Sequence, residues 1–316
     1  MLDRELSQCA QRLVALPHRL LGFIKRRIVL AIPQSKRYPK WVEKYGVVSS
    51  QLRSAMVTDI GTWPSRPSIS VVIFGSSSDL HRLRHTIDSI RAQIYQLWNL
   101  CIADTTKSAI RPTLDHDVAE DSRGWANFLS QYGAVGANSN NALALARGDY
   151  IALMKAGDLL SEDALYWMAR EIMLHPEVDL LFSDEDRIDD NGTHFDPYFK
   201  SAWNPALMLS QDAFNDLGVY RRSIVEKIGG FRNEYESAKR YDLVLRCAAM
   251  TTSERIRHIP RVLYHRRALR NSSATAADNS PDREVGRRAV IDHLRQKGEK
   301  AEVRPALCKF YQVEYE

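Results

Sequence analysis

The sequence is poor in cysteine: its 316 residues include four, and no two are spaced as a C-x-x-C pair. Three of the four have apolar neighbours, which is typical of buried free thiols in a reducing compartment. The composition therefore argues against a disulfide framework and against a zinc site. The four residues are Cys9, Cys101, Cys247 and Cys308.

A long uninterrupted apolar run is also missing. In the N-terminal segment RLLGFIKRRIVLAI (19–32) the longest such run covers only residues 28–32, whereas a membrane-spanning helix needs roughly 20 apolar residues. The acidic residues Asp3 and Glu5, and the lack of a small-residue cleavage site, argue against a secretory signal peptide. The expected location is therefore cytoplasmic.

Positive charge is concentrated in this N-terminal arm. Residues 1–46 carry ten basic and three acidic side chains, so their net charge is +7, and the remainder carries −2 of the total +5. No nucleic-acid-binding motif accompanies the basic residues, and no nucleic acid partner is expected. Two interpretations remain open for residues 18–37. They form an amphipathic helix on the inner face of the plasma membrane, or a helix packed on the protein with its charges in solvent.

Apolar runs rich in β-branched residues alternate with helical patterns after residue 68. Helical periodicity is found at 79–93 and 161–174, for example, while residues 105–135 give no clear pattern. This alternation predicts an α/β fold with a parallel sheet, whose ligands bind at the carboxyl ends of the strands. The predicted strands are ISVVIF (69–74), WNLCIAD (98–104), DYIALM (149–154) and VDLLFSDED (178–186).

Acidic residues stand at three of these strand ends: Asp104, Asp158 and the group Asp184-Glu185-Asp186. Carboxylates that converge at one edge of a sheet predict a polar ligand site there. The third group is followed by DDNG (189–192), which is typical of a hairpin turn. A purely structural role in that turn is therefore an alternative for Asp184 and Glu185.

Nine segments of the chain stand in the order found in family 2 glycosyltransferases of the GT-A fold. They include ISVVIF (69–74), GANSNNALALARGDYIALM (136–154), RIRHIPRVLYHRR (255–267) and AEVRPALCKFYQVEYE (301–316). The chain resembles this family from about Tyr38 to its C-terminus, in particular the branch of O-antigen and other surface-polysaccharide synthesis. The resemblance implies a Rossmann-like, mostly parallel sheet flanked by helices. It also implies transfer of a sugar from a nucleotide-diphosphate donor, with inversion at the anomeric carbon.

Three parts of the chain are expected. The Gly-, Pro- and Ser-rich stretch GTWPSRPS (61–68) marks a boundary. Residues 1–60 are then a basic, amphipathic helical arm, 66–270 a GT-A glycosyltransferase-like domain, and 271–316 a C-terminal extension of helix and strand that packs on it.

The metal-binding motif implied by the resemblance is not retained. The family has a D-x-D pair that holds a divalent metal against the leaving diphosphate, and these positions are Lys155 and Gly157 here, followed by a retained Asp158. A nucleotide-binding aspartate is kept as Asp104. No metal cofactor is therefore expected. Mn²⁺ or Mg²⁺, held by Asp158 and His265, belongs only to the hypothesis of an active enzyme.

The general base implied by the resemblance is replaced as well. Its position is Arg240, with an aspartate retained two residues on at Asp242. An arginine has no lone pair with which to accept a proton near pH 7. Two further departures are Asp216, where the family has histidine, and Arg266, where it has tryptophan.

These departures support a pseudoglycosyltransferase, a fold that keeps a ligand- or partner-binding surface without the chemistry. The diphosphate-binding candidates are Asp104, Lys155, Asp158 and Arg240. A second hypothesis is an active, metal-independent sugar transferase whose base is Asp184, Glu185 or Asp242. A third is a scaffold that docks other polysaccharide-synthesis proteins at the membrane. The expected small-molecule partner is a nucleotide-diphosphate sugar or a glycan acceptor.

Overall fold

The computed structural model describes residues 34–74, 80–104, 126–130, 138–214, 216–268, 281–306 and 310–316. The chain divides into two units between Val47 and Val48. In the first unit, α1 (Gln34–Tyr45) carries Trp41 with its ring stacked on that of Tyr38. Residues 18–33 of the predicted membrane-contacting segment lie outside the described residues.

The second unit alternates helices and strands. Its elements are α2 (Ser50–Thr62), β1 (Ile69–Phe74), α3 (Leu80–Arg91), β2 (Trp98–Asp104), β3 (Ala126–Ser130), α4 (Asn138–Leu145), β4 (Tyr150–Lys155), β5 (Leu159–Leu160), α5 (Ala164–Leu174), β6 (Leu180–Ile188), β7 (His194–Tyr198), α6 (Pro205–Ser210), β8 (Gly218–Arg221), α7 (Arg222–Lys227), α8 (Lys239–Ala248), β9 (Ile256–Arg267), α9 (Pro281–Gln296), β10 (Ala301–Pro305) and β11 (Tyr311–Tyr315). Short 3₁₀ turns precede α8 and β9.

Nine of the described strands form one mixed sheet, eight of them in the order β3-β2-β1-β4-β8-β6-β9-β5 and the ninth, β7, beside β6. The β3-β2-β1-β4 half is parallel throughout, and β6 and β9 are also parallel. Antiparallel β8 joins these two parts, and β7 pairs with the later residues of β6. The Asp189–Gly192 turn connects β6 to β7, which confirms the predicted hairpin. Strands β10 and β11 form a separate antiparallel pair.

Helices cover both faces of the large sheet, so its central strands are buried on both sides. In β1, Val71 belongs to the core formed with α3 and α5, while its neighbour Val72 belongs to the core formed with α4 and α8. This assignment follows from the period of two along a strand, which sends successive side chains to opposite faces. A continuous apolar run such as ISVVIF is what a strand buried on both faces requires.

Helix α2 is part of the main unit, although the sequence placed residues 50–60 in the N-terminal arm. Its start is capped by Ser49, whose hydroxyl accepts a hydrogen bond from the backbone N–H of Leu52 at 3.2 Å. Met56 and the following Trp63 are buried in the core beside α3 and α5. The division of the chain after Val47 lies before α2, whereas the Gly-, Pro- and Ser-rich stretch begins at the end of that helix.

The C-terminal extension contributes to the second core. Val290 and Leu294 of α9, with Val303 of β10, are buried among the side chains of α8. Within the described part of the chain, no helix combines the length and apolarity that crossing a bilayer requires.

His293 of α9 makes the packing of this extension sensitive to pH. Its side chain is buried, and burial together with nearby Lys297 lowers the pKa of the imidazole below its ordinary value. The folded state thus favours the neutral ring. The stability this provides is complete above the ordinary pKa of about 6.5 and is lost as the pH falls below it.

We expect His293→Leu to reduce the fall in the free energy of unfolding between pH 7.5 and pH 5.5. Urea unfolding at both pH values measures this fall, and the exposed His81, changed to Gln, provides the matched control. An unchanged pH dependence in His293→Leu would contradict the assignment.

Candidate functional site

Two of the three acidic groups predicted at strand ends, Asp158 and Asp184–Asp186, lie beside β9. Leu159, just past β4, pairs with His265 of β9, and Asp186 of β6 is the register partner of the same histidine. The adjacent Tyr264 is fully buried, and its phenol donates a hydrogen bond to Asp158 Oδ2 at 2.7 Å. Tyr264 therefore links β9 to the loop after β4, since its phenol oxygen also accepts the backbone N–H of Lys155 at 3.2 Å.

The loop after β4 does not provide a D-x-D metal site. Lys155 is exposed and contributes a cation in place of a carboxylate. Gly157 has φ of 100°, in the left-handed region that side-chain-bearing residues rarely adopt. The remaining Asp158 is buried and receives, besides the Tyr264 phenol, the backbone N–H of Arg267 at 2.9 Å. The residues at the family's metal position thus do not fit the implied ion.

The carboxylate of Asp158 has a structural role, because both of its oxygens accept hydrogen bonds from β9. Burial raises its pKa, as does the negative charge of nearby Asp216, while the two hydrogen bonds and Lys155 act in the opposite direction. Its backbone carbonyl accepts a hydrogen bond from Thr86 Oγ1 at 2.8 Å. Asp158 therefore ties the loop to β9 and to α3.

Three positions that depart from the family meet in one ion-pair cluster. Arg240 Nη1, at the base position, lies 2.5 Å from Asp216 Oδ1. Arg266 Nε lies 2.6 Å from the other carboxylate oxygen of Asp216. The residues that stand where the family has aspartate, histidine and tryptophan thus compensate one another's charge. Sequence order hides this because the three positions belong to separate segments.

The charges of this cluster are firmly fixed. Burial favours a neutral Asp216, but the two arginines outweigh it and lower the pKa of the carboxyl. Burial likewise opposes the charge of Arg240, but Asp216 outweighs it and raises the pKa of the guanidinium. The base position therefore holds a permanent cation paired with a permanent anion.

Glu185, a predicted substitute base, forms a buried ion pair with Lys200. Lys200 Nζ lies 2.9 Å from Glu185 Oε2, and the two side chains are 1% and 4% exposed. The same ammonium donates to the carbonyl of Phe214 at 2.6 Å. Burial raises the pKa of Glu185, partly offset by Lys200.

Asp184 and Asp242 are held by similar contacts. Asp184 Oδ1 accepts the backbone N–H of Lys200 at 2.8 Å and lies 2.7 Å from His258 Nε2. Asp242, on α8, is bound by the guanidinium groups of Arg232 and Arg246. Both carboxylates are thus occupied by structural partners.

Asp186 lies between two histidines. Its Oδ1 is 2.6 Å from Nδ1 of His265, and its Oδ2 is 2.8 Å from Nδ1 of His194. Burial alone would raise the pKa of Asp186, but the bonds to both imidazoles lower it. His265, predicted from the family resemblance, therefore meets Asp186 rather than Asp158.

Asp104 is the last residue of β2, with Ser130 of β3 as its register partner. Its side chain lies outside the described residues. Of the other predicted residues, Lys155, Asp158 and Arg240 share the electrostatic surroundings of Tyr264 and Asp216.

Sequence reasoning missed the roles of Lys200 and His194. Lys200 stands in FDPYFKSAW (195–203), a segment that takes part in the family resemblance, but the sequence does not indicate that its ammonium meets Glu185. His194 follows the predicted hairpin turn. The hairpin register, with His194 opposite Ile188, would have placed it near Asp186.

Two curated relatives match the chain over most of its length. It is 38% identical over 231 residues to the uncharacterized protein y4gI of Sinorhizobium fredii (strain NBRC 101917 / NGR234), covering 72% of this chain and 25% of that protein. It is 32% identical over 289 residues to the O-antigen biosynthesis protein RfbC of Myxococcus xanthus, covering 90% of this chain and 22% of that protein. The chain thus spans about a quarter of the length of these relatives. No protein-family model matches the chain.

Solved structures with the same fold include two complexes with nucleotide sugars. Residues 1–349 of S. aureus TarS, in complex with UDP-GlcNAc, superpose with a TM-score of 0.55 at 17% identity, covering 72% of this chain and 66% of that one. The mannosyltransferase PcManGT of Pyrobaculum calidifontis, in complex with GDP-Man and Mn²⁺, gives 0.51 at 14% identity, covering 78% and 71%. At these identities the likeness shows the fold.

The chain therefore has the GT-A glycosyltransferase fold, an α/β architecture with helices on both faces of its sheet. It is related in sequence to a protein of O-antigen biosynthesis, and the predicted resemblance to GT-A glycosyltransferases of surface-polysaccharide synthesis is confirmed.

Proposed function

We propose that this chain is a pseudoglycosyltransferase domain of O-antigen-type polysaccharide biosynthesis. It binds a nucleotide-diphosphate sugar through fixed positive charge and does not transfer the sugar. The observation that carries this proposal is the cluster of Asp216, Arg240 and Arg266. A guanidinium paired with a carboxylate occupies the position from which a base would have to accept the proton of the acceptor hydroxyl.

Lys155 is the group proposed to meet the diphosphate. It is exposed at the end of β4, where the related fold holds its metal, and an ammonium is a common point-charge ligand for phosphate. The two oxygens of the nearby Asp158 carboxylate accept hydrogen bonds from the Tyr264 phenol and from the backbone N–H of Arg267, not from the Lys155 ammonium.

An active, metal-independent transferase is the second candidate, and one observation favours it. Glu185, whose pKa is raised by burial, lines a cavity of about 270 Å³ together with Tyr198 and Arg266. A carboxylate with a raised pKa beside a cavity has the property required of a general base. Under this hypothesis Glu185 would take the proton from the acceptor.

Calorimetric titration with UDP, dTDP and GDP, each with and without Mn²⁺, tests the first proposal. We expect saturable binding of at least one nucleotide, with an affinity that Mn²⁺ changes less than twofold. Binding that requires Mn²⁺ would contradict the proposal of fixed charge. The absence of binding to all three would contradict nucleotide recognition and favour a scaffold role.

A transfer assay separates the two candidates. UDP-GlcNAc and GDP-Man serve as donors, and release of the nucleoside diphosphate is followed with a polysaccharide acceptor preparation. We expect no release above that of a heat-denatured control. Release that is abolished by Glu185→Gln would establish the active alternative.

A further inference from the structure

Asp186, His194 and His265 form a cluster separate from the loop that replaces the D-x-D motif. They belong to three neighbouring strands, β6, β7 and β9. One ligand-type atom of each lies within 4.8 Å of those of the other two. The rings of the two histidines meet edge to face, with centroids 4.6 Å apart. The residues proposed for nucleotide binding, Asp104, Lys155, Asp158 and Arg240, do not include any of these three.

The chemistry of the cluster matches a borderline divalent metal. Two imidazoles and one carboxylate are ligands that Zn²⁺ accepts, at about 2.0–2.2 Å from the ion. Nδ1 of each histidine faces a carboxylate oxygen of Asp186, at 2.6 Å for His265 and 2.8 Å for His194, and because a carboxylate only accepts hydrogen bonds, the shared proton is assigned to Nδ1. Moving each proton to Nε2 gives the other neutral tautomer and frees both Nδ1 lone pairs without a change of charge.

We propose that Asp186, His194 and His265 form a binding site for a divalent transition metal of the Zn²⁺ class. The ion would take the place that the two hydrogen-bonded protons occupy between the three side chains. It would join the β6–β7 hairpin to β9 and leave a coordination position toward the cavity of about 270 Å³, which Asp186 and Arg266 line. Two arginines that line the same cavity are paired with carboxylates, Arg187 with Asp196 and Arg266 with Asp216.

The site differs from the metal site implied by the family resemblance, whose positions are Lys155 and Gly157 here. The sequence predicted no metal at those two positions, and the proposal leaves that expectation unchanged. The new ligand set depends on His194, which lies on the hairpin strand opposite Ile188. The proposal is independent of nucleotide binding.

Titration of the untagged full chain with ZnCl₂, without nucleotide, tests the site. We expect one equivalent to bind and to raise the temperature of unfolding. His194→Gln and His265→Gln are each expected to weaken this binding at least tenfold and to remove the thermal shift. His175→Gln is the matched control, since that partly exposed histidine pairs with Glu171 and Glu177 and does not belong to the cluster. Co²⁺, added as a spectroscopic probe, is expected to give a visible absorption band in the wild type and in His175→Gln.

Two outcomes would overturn the proposal: no saturable binding of Zn²⁺ by the wild type, or an affinity unchanged in both His194→Gln and His265→Gln. His194 is partly exposed at the edge of the sheet, so its substitution is compatible with folding, and circular dichroism checks this. Repeating the Mn²⁺ arm of the nucleotide titration with His194→Gln separates an ion bound here from an ion bound with the nucleotide. The metal site and the nucleotide site can thus fail independently.

Discussion

Lys200→Met is expected to lower the free energy of unfolding by about 3–5 kcal/mol, the range measured when one partner of a buried ion pair is removed. The Lys200 ammonium is the cation that Glu185 contacts at 2.9 Å in a buried setting, and it also satisfies the carbonyl of Phe214. Methionine keeps the volume and apolar stem but leaves both acceptors without this donor. Urea unfolding measures the loss.

A double-mutant cycle shows whether the loss of stability in Lys200→Met comes from the ion pair with Glu185. Glu185→Gln removes the negative charge, so Lys200→Met should cost less in that background than in the wild type. Arg304→Met is the comparison for a solvent-exposed pair, because Arg304 contacts Glu302 at the surface and such pairs contribute little. A cost for Lys200→Met below about 1 kcal/mol, or equal costs in the two backgrounds, would show that the pair is not important for stability.

Lys155→Ala is expected to weaken nucleoside diphosphate binding about tenfold or more. A hydrogen bond to a charged group contributes about 1.5–3 kcal/mol, and about 1.4 kcal/mol corresponds to a factor of ten in affinity. Because Lys155 is exposed at the end of β4, its loss should leave the stability of the fold unchanged. Calorimetric titration of the variant with the nucleotide that binds the wild type best gives the ratio of dissociation constants.

Two variants make this result specific. Lys155→Arg keeps the charge and should retain most of the affinity. Lys227→Ala is the control, because it removes an exposed lysine far from Lys155 along β4. Lys227 ends α7, which follows β8, and the end of β8 pairs with Tyr150 at the start of β4. This variant should bind the nucleotide as the wild type does. Equal affinities for the wild type and Lys155→Ala would contradict the role assigned to Lys155.

The central strands were predictable because strands covered on both faces must be apolar along their whole length. β1 and β4 were found from this pattern nearly to the residue. β3, at residues 126–130, was not found, because it lies in the stretch of sequence that gives no clear periodicity. Asp184 and Glu185 were placed at a strand end, yet β6 continues to Ile188. Carboxylates are tolerated inside it because each has a cationic or imidazole partner.

The sequence alone showed that the family's metal-binding and base residues are replaced. It did not show which contacts the replacing residues make. The positions Lys155, Gly157 and Arg240 could be identified from the order of family segments alone. Their partners could not, because an ion pair between Asp216 and Arg240 depends on how α8 meets the chain before β8. A tertiary contact of this kind leaves no periodic signal in the sequence.

The cluster of Asp216, Arg240 and Arg266 also constrains how this chain can evolve. A carboxylate returned to position 240 alone would place two buried anions against one arginine, and like charges in such a site disfavour each other's ionisation. Removing the charge of Asp216 alone would instead leave two arginines without their anion. Each single substitution that removes one charge of the cluster therefore lowers the stability of the fold, whether or not it introduces a proton acceptor. The ion pairs therefore oppose each single substitution, and a proton acceptor at position 240 is compatible with the fold only when several of these residues change together.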